Sequence, residues 1–390
     1  MAKIKVVHYC SVWLEVTQTW LFNQITYLPK FIENHVICRS TKNLDQFAVD
    51  HLNALKEQSF ALYLLHRLQT LFGKRNQSLF FQQKVTEIRP DIVHSHFGNN
   101  GWAVMKAVEK YGAPHFITFY GQDVGKLPKD NPIWLKRYQE LFDSPLSHFL
   151  CEGPHMAKCL VEMGCPPAKV WVHHLGIEVD KIEFQPRIWR SDEVLKVLIA
   201  ASFREKKGIP YALEALGILQ QKIPLEITLI GDADSSKEAT AEKEKILAVL
   251  EKQQLLPVTK MLGYCSQKIL WQEAYQNHLF LSPSVTAVNG DTEGGAPVSL
   301  IEMAASGMPI VSTFHCDIPE VVVNGQTGWL AEERNVSAIV SCLERWVESP
   351  DSWAEMLRSG REHIESNYDA RVQGQTLARH YQESLSSFQQ

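Results

Sequence analysis

The 390-residue sequence has no stretch approaching the ~18 to 20 apolar residues of a membrane span. Its opening segment, MAKIKVVHYCSVWLEV, is not a signal peptide: the apolar run is short, Glu15 breaks it, and no small-residue cleavage site follows. A cytoplasmic protein is expected, peripheral on the inner face of the plasma membrane if a partner holds it there. Basic charge is not in excess. Formal net charge is -5 with lysine and arginine scattered, which argues against nucleic acid, a ligand that wants a basic face. The 8 cysteines form no CxxC pair and no regular spacing, so reduced packing thiols are expected and no metal site. No GxGxxG follows a strand, which disfavours a dinucleotide-dependent oxidoreductase. Repeats and low-complexity segments are also missing.

What is present is an alternation. Short apolar runs at 3–10, 35–40, 91–97, 115–121, 147–153 and 169–177 read as strands, separated by longer amphipathic stretches. Residues 45–87 read as mostly helical. The pattern lapses in DKIEFQPRIWRSDE (180–193), which reads as a linker, and then restarts with strands at 195–202, 225–232, 258–264, 278–284 and 308–314. Strands alternating with helices mean parallel sheets covered on both faces. The expected fold is therefore α/β, with two doubly wound Rossmann-like domains facing across a cleft. The boundaries fall at 1–185 and 186–366, and a C-terminal helix at about 367–390 packs back onto the first domain.

In open parallel sheets ligands bind beyond the carboxyl ends of the strands, so the residues just after each strand come first. DTEGGAPVSLIEMAASG (291–307) follows one such strand. Gly294 and Gly295 allow close backbone approach, Pro297 suits a helix start, and the free N–H groups of that helix favour an anion such as a diphosphate. Glu293 can accept hydrogen bonds from sugar hydroxyls and Glu302 from a ribose diol. Read from the residues alone, the same stretch is equally a surface carboxylate, a tight turn and a helix-face glutamate. FREKKG (203–208) places Arg204 and Lys207 after another strand, as a cationic pair for a leaving diphosphate or simply as an exposed basic loop. Gly231 and Tyr264 end strands of the same half, beside a nucleotide or as ordinary turns. In the first half, HSHFG puts His94 and His96 on one side of a strand, with His94 suited to a core role and His96 to the acceptor side. Residues 55–84 mix aromatic and basic side chains on a helical stretch, either core-packing or lying on an anionic membrane surface.

EGGAPVSLIEMAASGMPIVST, HCDIPEVV and NGQTGWLAE together resemble the nucleotide-sugar site of retaining glycosyltransferases of family 4, which have the GT-B fold. TQTWLFNQI, ITFYGQDVGKLP, GPHMAKCLVEMGCPPAKVWVHHLGIEVDKIEF and FREKKGIPYALEAL extend the resemblance, in order, to the bacterial exopolysaccharide branch, colanic-acid-type enzymes included. The resemblance implies a donor site in the second domain. There Glu302 holds the ribose and Glu293 the sugar, while backbone amides of Gly294, Gly295, Ala296, Pro297, Val298 and Ser299 line the donor sugar or phosphates. The family separates its two glutamates by seven residues; here eight intervene. Lys207 matches the family lysine. Ser202 stands where the family has arginine, and Arg204 is expected to take over. Glu293, Arg204 and Lys207 are thus the expected catalytic groups, with Gly231 and Tyr264 on the nucleotide.

On the acceptor side the resemblance points to Thr19, His96, Tyr120 and Asp123. Tyr120 stands where many members have histidine, and tyrosine is a poor base at neutral pH. The expected activity is metal-independent, retaining transfer from a UDP- or GDP-sugar to a saccharide or polyprenyl-linked acceptor. No cofactor is expected. The rival readings are a non-catalytic sugar-nucleotide-binding protein, a sugar-nucleotide epimerase, and a phosphorylase, whose cofactor-lysine signature is not found.

Overall fold

The computed structural model describes residues 3–15, 18–71 and 79–388. The chain forms two compact units, Met1–Gly176 with Asp369–Gln390, and Ile177–Tyr368.

The first unit is built on β1 (Ile4–Trp13), β2 (Ile32–Thr41), β3 (Leu52–Ala54), β4 (Ile92–His96), β5 (His115–Thr118), β6 (Ser147–Cys151) and β7 (Val170–Val172). All pairings are parallel, in the order β3-β2-β1-β4-β5-β6-β7. The central strands are buried on both faces, which is why they read as near-continuous apolar runs. Helix α1 (Thr19–Thr26) follows β1. The C-terminal helix Ala370–Phe388 belongs to this unit, where Leu377, Ala378 and Tyr381 pack against Val6, Leu28, Ile92, Phe116 and Leu150.

The second unit repeats the scheme with β8 (Leu195–Ala200), β9 (Leu225–Ile230), β10 (Thr259–Gly263), β11 (Leu279–Leu281), β12 (Ile310–Thr313) and β13 (Trp329–Ala331), again all parallel, in the order β10-β9-β8-β11-β12-β13. Two strands escape the sequence reading. β3 lies inside the stretch expected to be helical, and β13 inside NGQTGWLAE. Each has three residues, too few to show a period.

The segment 180–193 is not a free linker, and the boundary expected at 185 lies inside the second unit. Ile182 and Trp189 are buried, and the backbone N–H groups of Gln185 and Arg187 donate to the carbonyls of Ser306 and Gly307 at 3.1 and 2.9 Å. Arg187 is 5% exposed. Its guanidinium donates to Ala274 O at 2.9 Å and Ser306 O at 3.0 Å. Burial pulls its pKa down to about 10, so it stays charged at neutral pH. The polar composition of the segment reflects this carbonyl-bound cation, not a solvated tether. Deleting it strands buried carbonyls. Arg187→Ala is expected to lower the unfolding free energy of this unit by about 3 kcal/mol in urea denaturation, with Arg187→Lys recovering part of the loss.

Candidate functional site

A doubly wound sheet binds ligands where its strand order reverses. In the second unit that point lies between β8 and β11. β8 leads into the loop carrying Arg204 and Lys207, and β11 into the loop carrying Glu293. Gly208 joins the two. Its φ is +62°, and a Cβ there would lie 1.9 Å from the carbonyl oxygen of Pro283, so only glycine lets the loops meet.

The consequence is an ion pair. Lys207 Nζ lies 2.8 Å from Glu293 Oε1 and 2.9 Å from Oε2. Ser284 Oγ donates to Oε1 at 2.8 Å. Burial of Glu293 acts to raise its pKa, but Lys207, Lys206 and the Ser284 hydroxyl outweigh it and hold the carboxyl below its ordinary value. The Glu293 backbone N–H donates to His315 Nε2 at 3.1 Å, so the imidazole proton sits on Nδ1, which donates to Glu333 Oε1 at 2.6 Å. Glu333 Oε2 in turn accepts the Thr286 N–H at 2.7 Å. Lys206 donates to Thr292 O at 2.9 Å. The loop before the glycine turn is therefore tied at several points.

The turn itself is left open. Gly294 has φ +81°. The helix Val298–Ala305 starts after Pro297 with no side-chain cap. Among the described residues, the N–H groups of Gly295, Ala296, Val298 and Ser299 have no hydrogen-bond partner. One turn into that helix, Glu302 has neither hydrogen bond nor ion pair among the described residues, and burial pushes its pKa up to about 7. Uncapped N–H groups favour an anion, and an unpartnered carboxylate favours a hydroxyl pair.

Other expected donor-site residues sit differently. Arg204 is 45% exposed at its side chain and pairs with Asp234 at 2.8 Å, not with Glu293. Gly231 is required by the backbone: its φ is +126°, and a Cβ would fall 1.9 Å from Ala201 O. Tyr264 is exposed, and its hydroxyl donates to Asp232 O at 2.8 Å.

In the first unit the order reverses between β1 and β4. Thr19 opens α1 after β1, half-buried. His96 ends β4, but it is fully buried and both ring nitrogens are engaged, Nδ1 with Tyr120 Oη at 2.8 Å and Nε2 with His8 Nδ1 at 3.1 Å. Tyr120 is 4% exposed, and its hydroxyl also meets Gln24 Oε1 at 2.9 Å. Neither side chain presents a free polar group to an acceptor, contrary to expectation. Buried polar atoms must find partners, and these found them in the core. Asp123 is buried too and braces two loops, accepting the N–H groups of Gly98 and Tyr120, each at 2.7 Å; burial raises its pKa to about 7.

His94 is a core residue, bonded to Tyr381 and Thr118 at 2.6 Å each. His8, His94 and His96 converge at metal-ligand spacing, as do Glu33, His35 and His51 at the surface, convergences that no sequence spacing suggested. In the first group the ring nitrogens are already spent on hydrogen bonds. Among the described residues no helix is long and apolar enough to cross a membrane. Part of the stretch 55–84 lies outside the described residues. Within the rest, Phe60, Leu64 and Leu68 of the helix Phe60–Leu71 are exposed.

Comparison with known proteins shows the family and the fold. The "Glycosyltransferase Family 4" model matches residues 17–181 and the "Glycosyl transferases group 1" model residues 181–363. The amylovoran biosynthesis glycosyltransferase AmsK of Erwinia amylovora is 31% identical over 297 residues, covering 74% of this chain and 69% of that protein. The Escherichia coli protein WcaL, described as a colanic acid biosynthesis glycosyltransferase, is 30% identical over 79% of this chain and 75% of its own. The chain belongs to glycosyltransferase family 4. The solved structure of Anabaena HepE in complex with UDP matches with TM-score 0.76 at 14% identity, over 97% of this chain and 100% of that one, and the fold is GT-B.

For a family 4 glycosyltransferase, the sequence reading missed Ser284, His315 and Glu333 around the first glutamate. All three follow a strand: Ser284 comes after β11, His315 after β12 and Glu333 after β13. The strand-end rule alone singles out the first two. The raised pKa of Glu302 gives a test. Its folded pKa lies above the unfolded value, so the native state is penalised progressively as pH rises from about 4.5 to about 7, and fully above that. Glu302→Gln is expected to raise the melting temperature at pH 8, with the gain vanishing below about pH 4.5. Thermal denaturation across pH measures it.

Proposed function

We propose that this glycosyltransferase moves a sugar, with retention, from a UDP- or GDP-sugar to a saccharide or lipid-linked saccharide in bacterial exopolysaccharide synthesis. One observation carries the reading: four unpartnered N–H groups and an unpartnered carboxylate, Glu302, lie on one turn and helix, after the Lys207–Glu293 pair. The helix start would take the diphosphate and Glu302 the ribose hydroxyls. Glu293, held by Lys207, Ser284 and His315, would hold the donor sugar. Lys207 and the backbone amides would neutralise the leaving diphosphate, so no metal ion is needed for that task. Arg204 would join them by leaving Asp234. No carboxylate is assigned as a nucleophile. The acceptor hydroxyl attacks from the face that the leaving group departs, and the leaving phosphate oxygen takes its proton in an oxocarbenium-like step.

The names of AmsK and WcaL support the exopolysaccharide role, and the UDP and UDP-glucose complexes of Anabaena HepE support a nucleotide-sugar donor. A lipid-linked acceptor would be met near the exposed row Phe60, Leu64 and Leu68. Calorimetric titration of UDP, GDP and ADP tests the donor site. One of them is expected to bind, and Glu302→Ala to weaken it about tenfold, or about 1.4 kcal/mol. Failure of all three to bind wild type removes the donor-site reading and leaves the non-catalytic alternatives.

A further inference from the structure

The buried polar groups of the first unit contain a contradiction whose resolution fixes where the protons are. Asn34 Nδ2 donates to Ile25 O at 3.0 Å, so its amide orientation is anchored and Oδ1 faces His8 Nε2 at 3.2 Å. His8 Nε2 must therefore carry a proton. His8 is buried, and burial lowers its pKa to about 4, so the ring is neutral and its Nδ1 accepts. His96 Nε2 must then be the donor across the 3.1 Å contact. His96 is fully buried as well, with its pKa lowered, so its Nδ1 accepts from Tyr120 Oη at 2.8 Å.

Tyr120 has a single hydroxyl proton, now committed to His96. Yet Gln24 Oε1, a second acceptor, lies 2.9 Å from the same oxygen, while Gln24 Nε2 is buried with no partner. Turning the Gln24 amide over resolves the conflict at the hydroxyl, because Nε2 then donates to Tyr120 Oη, and the unpartnered position passes to Oε1.

We infer that Gln24, Tyr120, His96, His8 and Asn34 form one hydrogen-bond chain running in a single direction, which begins and ends on α1. Gln24 is on that helix, and Asn34 returns to it through Ile25 O. The chain passes through β1, β4 and the loop after β5, at the point where the strand order reverses. It clamps α1, whose first residue is Thr19, onto the sheet. Tyr120, His96 and His8 are positioning residues for that helix, and the Tyr120 proton is directed inward, unavailable to a substrate. Only the meaning of α1 as an acceptor-side element rests on the proposed function. The direction of the chain does not.

The test is nitrogen-15 NMR of histidine-labelled full-length protein at pH 7.5, with His8 and His96 assigned by His8→Gln and His96→Gln difference spectra. Both rings are expected as neutral Nε2–H tautomers. An Nδ1–H tautomer at His96, or an imidazolium at either ring, overturns the direction. The clamp is read separately by deuterium exchange. Tyr120→Phe is expected to speed exchange of the amides of residues 19–26 at least tenfold, with β9 amides of the second unit unchanged. Asn34→Ala, which cuts the opposite end, is expected to do the same. Unchanged exchange of α1 in whichever of these variants folds overturns the positioning role. Neither readout depends on nucleotide binding, so a failed titration and a failed clamp are told apart.

Discussion

The contact between Lys207 and Glu293 is the interaction on which the second unit's site depends. It exists because Gly208 lets the loop after β8 lie against the backbone after β11. A carboxylate this enclosed is costly unless paired and hydrogen-bonded. Here it is both, through Lys207, the Ser284 hydroxyl and the bracing of its own N–H by His315. The rigidity of that arrangement sets the position of the glycine turn and of the helix that follows.

The two units use the same sheet topology in opposite ways. In the first, the polar groups beside the reversal of strand order are consumed internally: His8, His94, His96, Tyr120 and Asp123 all bond to one another or to nearby backbone and side chains. In the second, the corresponding point leaves Glu302 and four backbone N–H groups without partners among the described residues. Unsatisfied polar groups at a half-buried site are expensive to maintain, and a ligand that completes them recovers that cost. Glu302, with its raised pKa, marks where that cost is stored.

Much of the fold was legible because strands buried on both faces leave short apolar runs, and their regular alternation with longer amphipathic stretches marks them as strands. β3 and β13 were not, being too short to show a pattern. The glycine turn and the residues Lys207, Glu293 and Glu302 were visible as motifs. Their bonding was not, since it depends on which loops the sheet order brings together. Gly231 was read as lying beside a nucleotide or as an ordinary turn, and its close backbone approach to Ala201 was not visible in the sequence. Tyr120 and His96 looked available because a sequence does not show that Gln24 of α1 and His8 of β1 close over them. His315 was in view within HCDIPEVV, but its hold on the Glu293 N–H needs three dimensions.

A crystal structure with UDP or GDP tests the central claim most directly. The account predicts diphosphate oxygens accepting from the N–H groups of Gly295, Ala296, Val298 and Ser299, with both ribose hydroxyls on the Glu302 carboxylate. A nucleotide bound elsewhere on the second unit, with Glu302 still unpartnered, contradicts it.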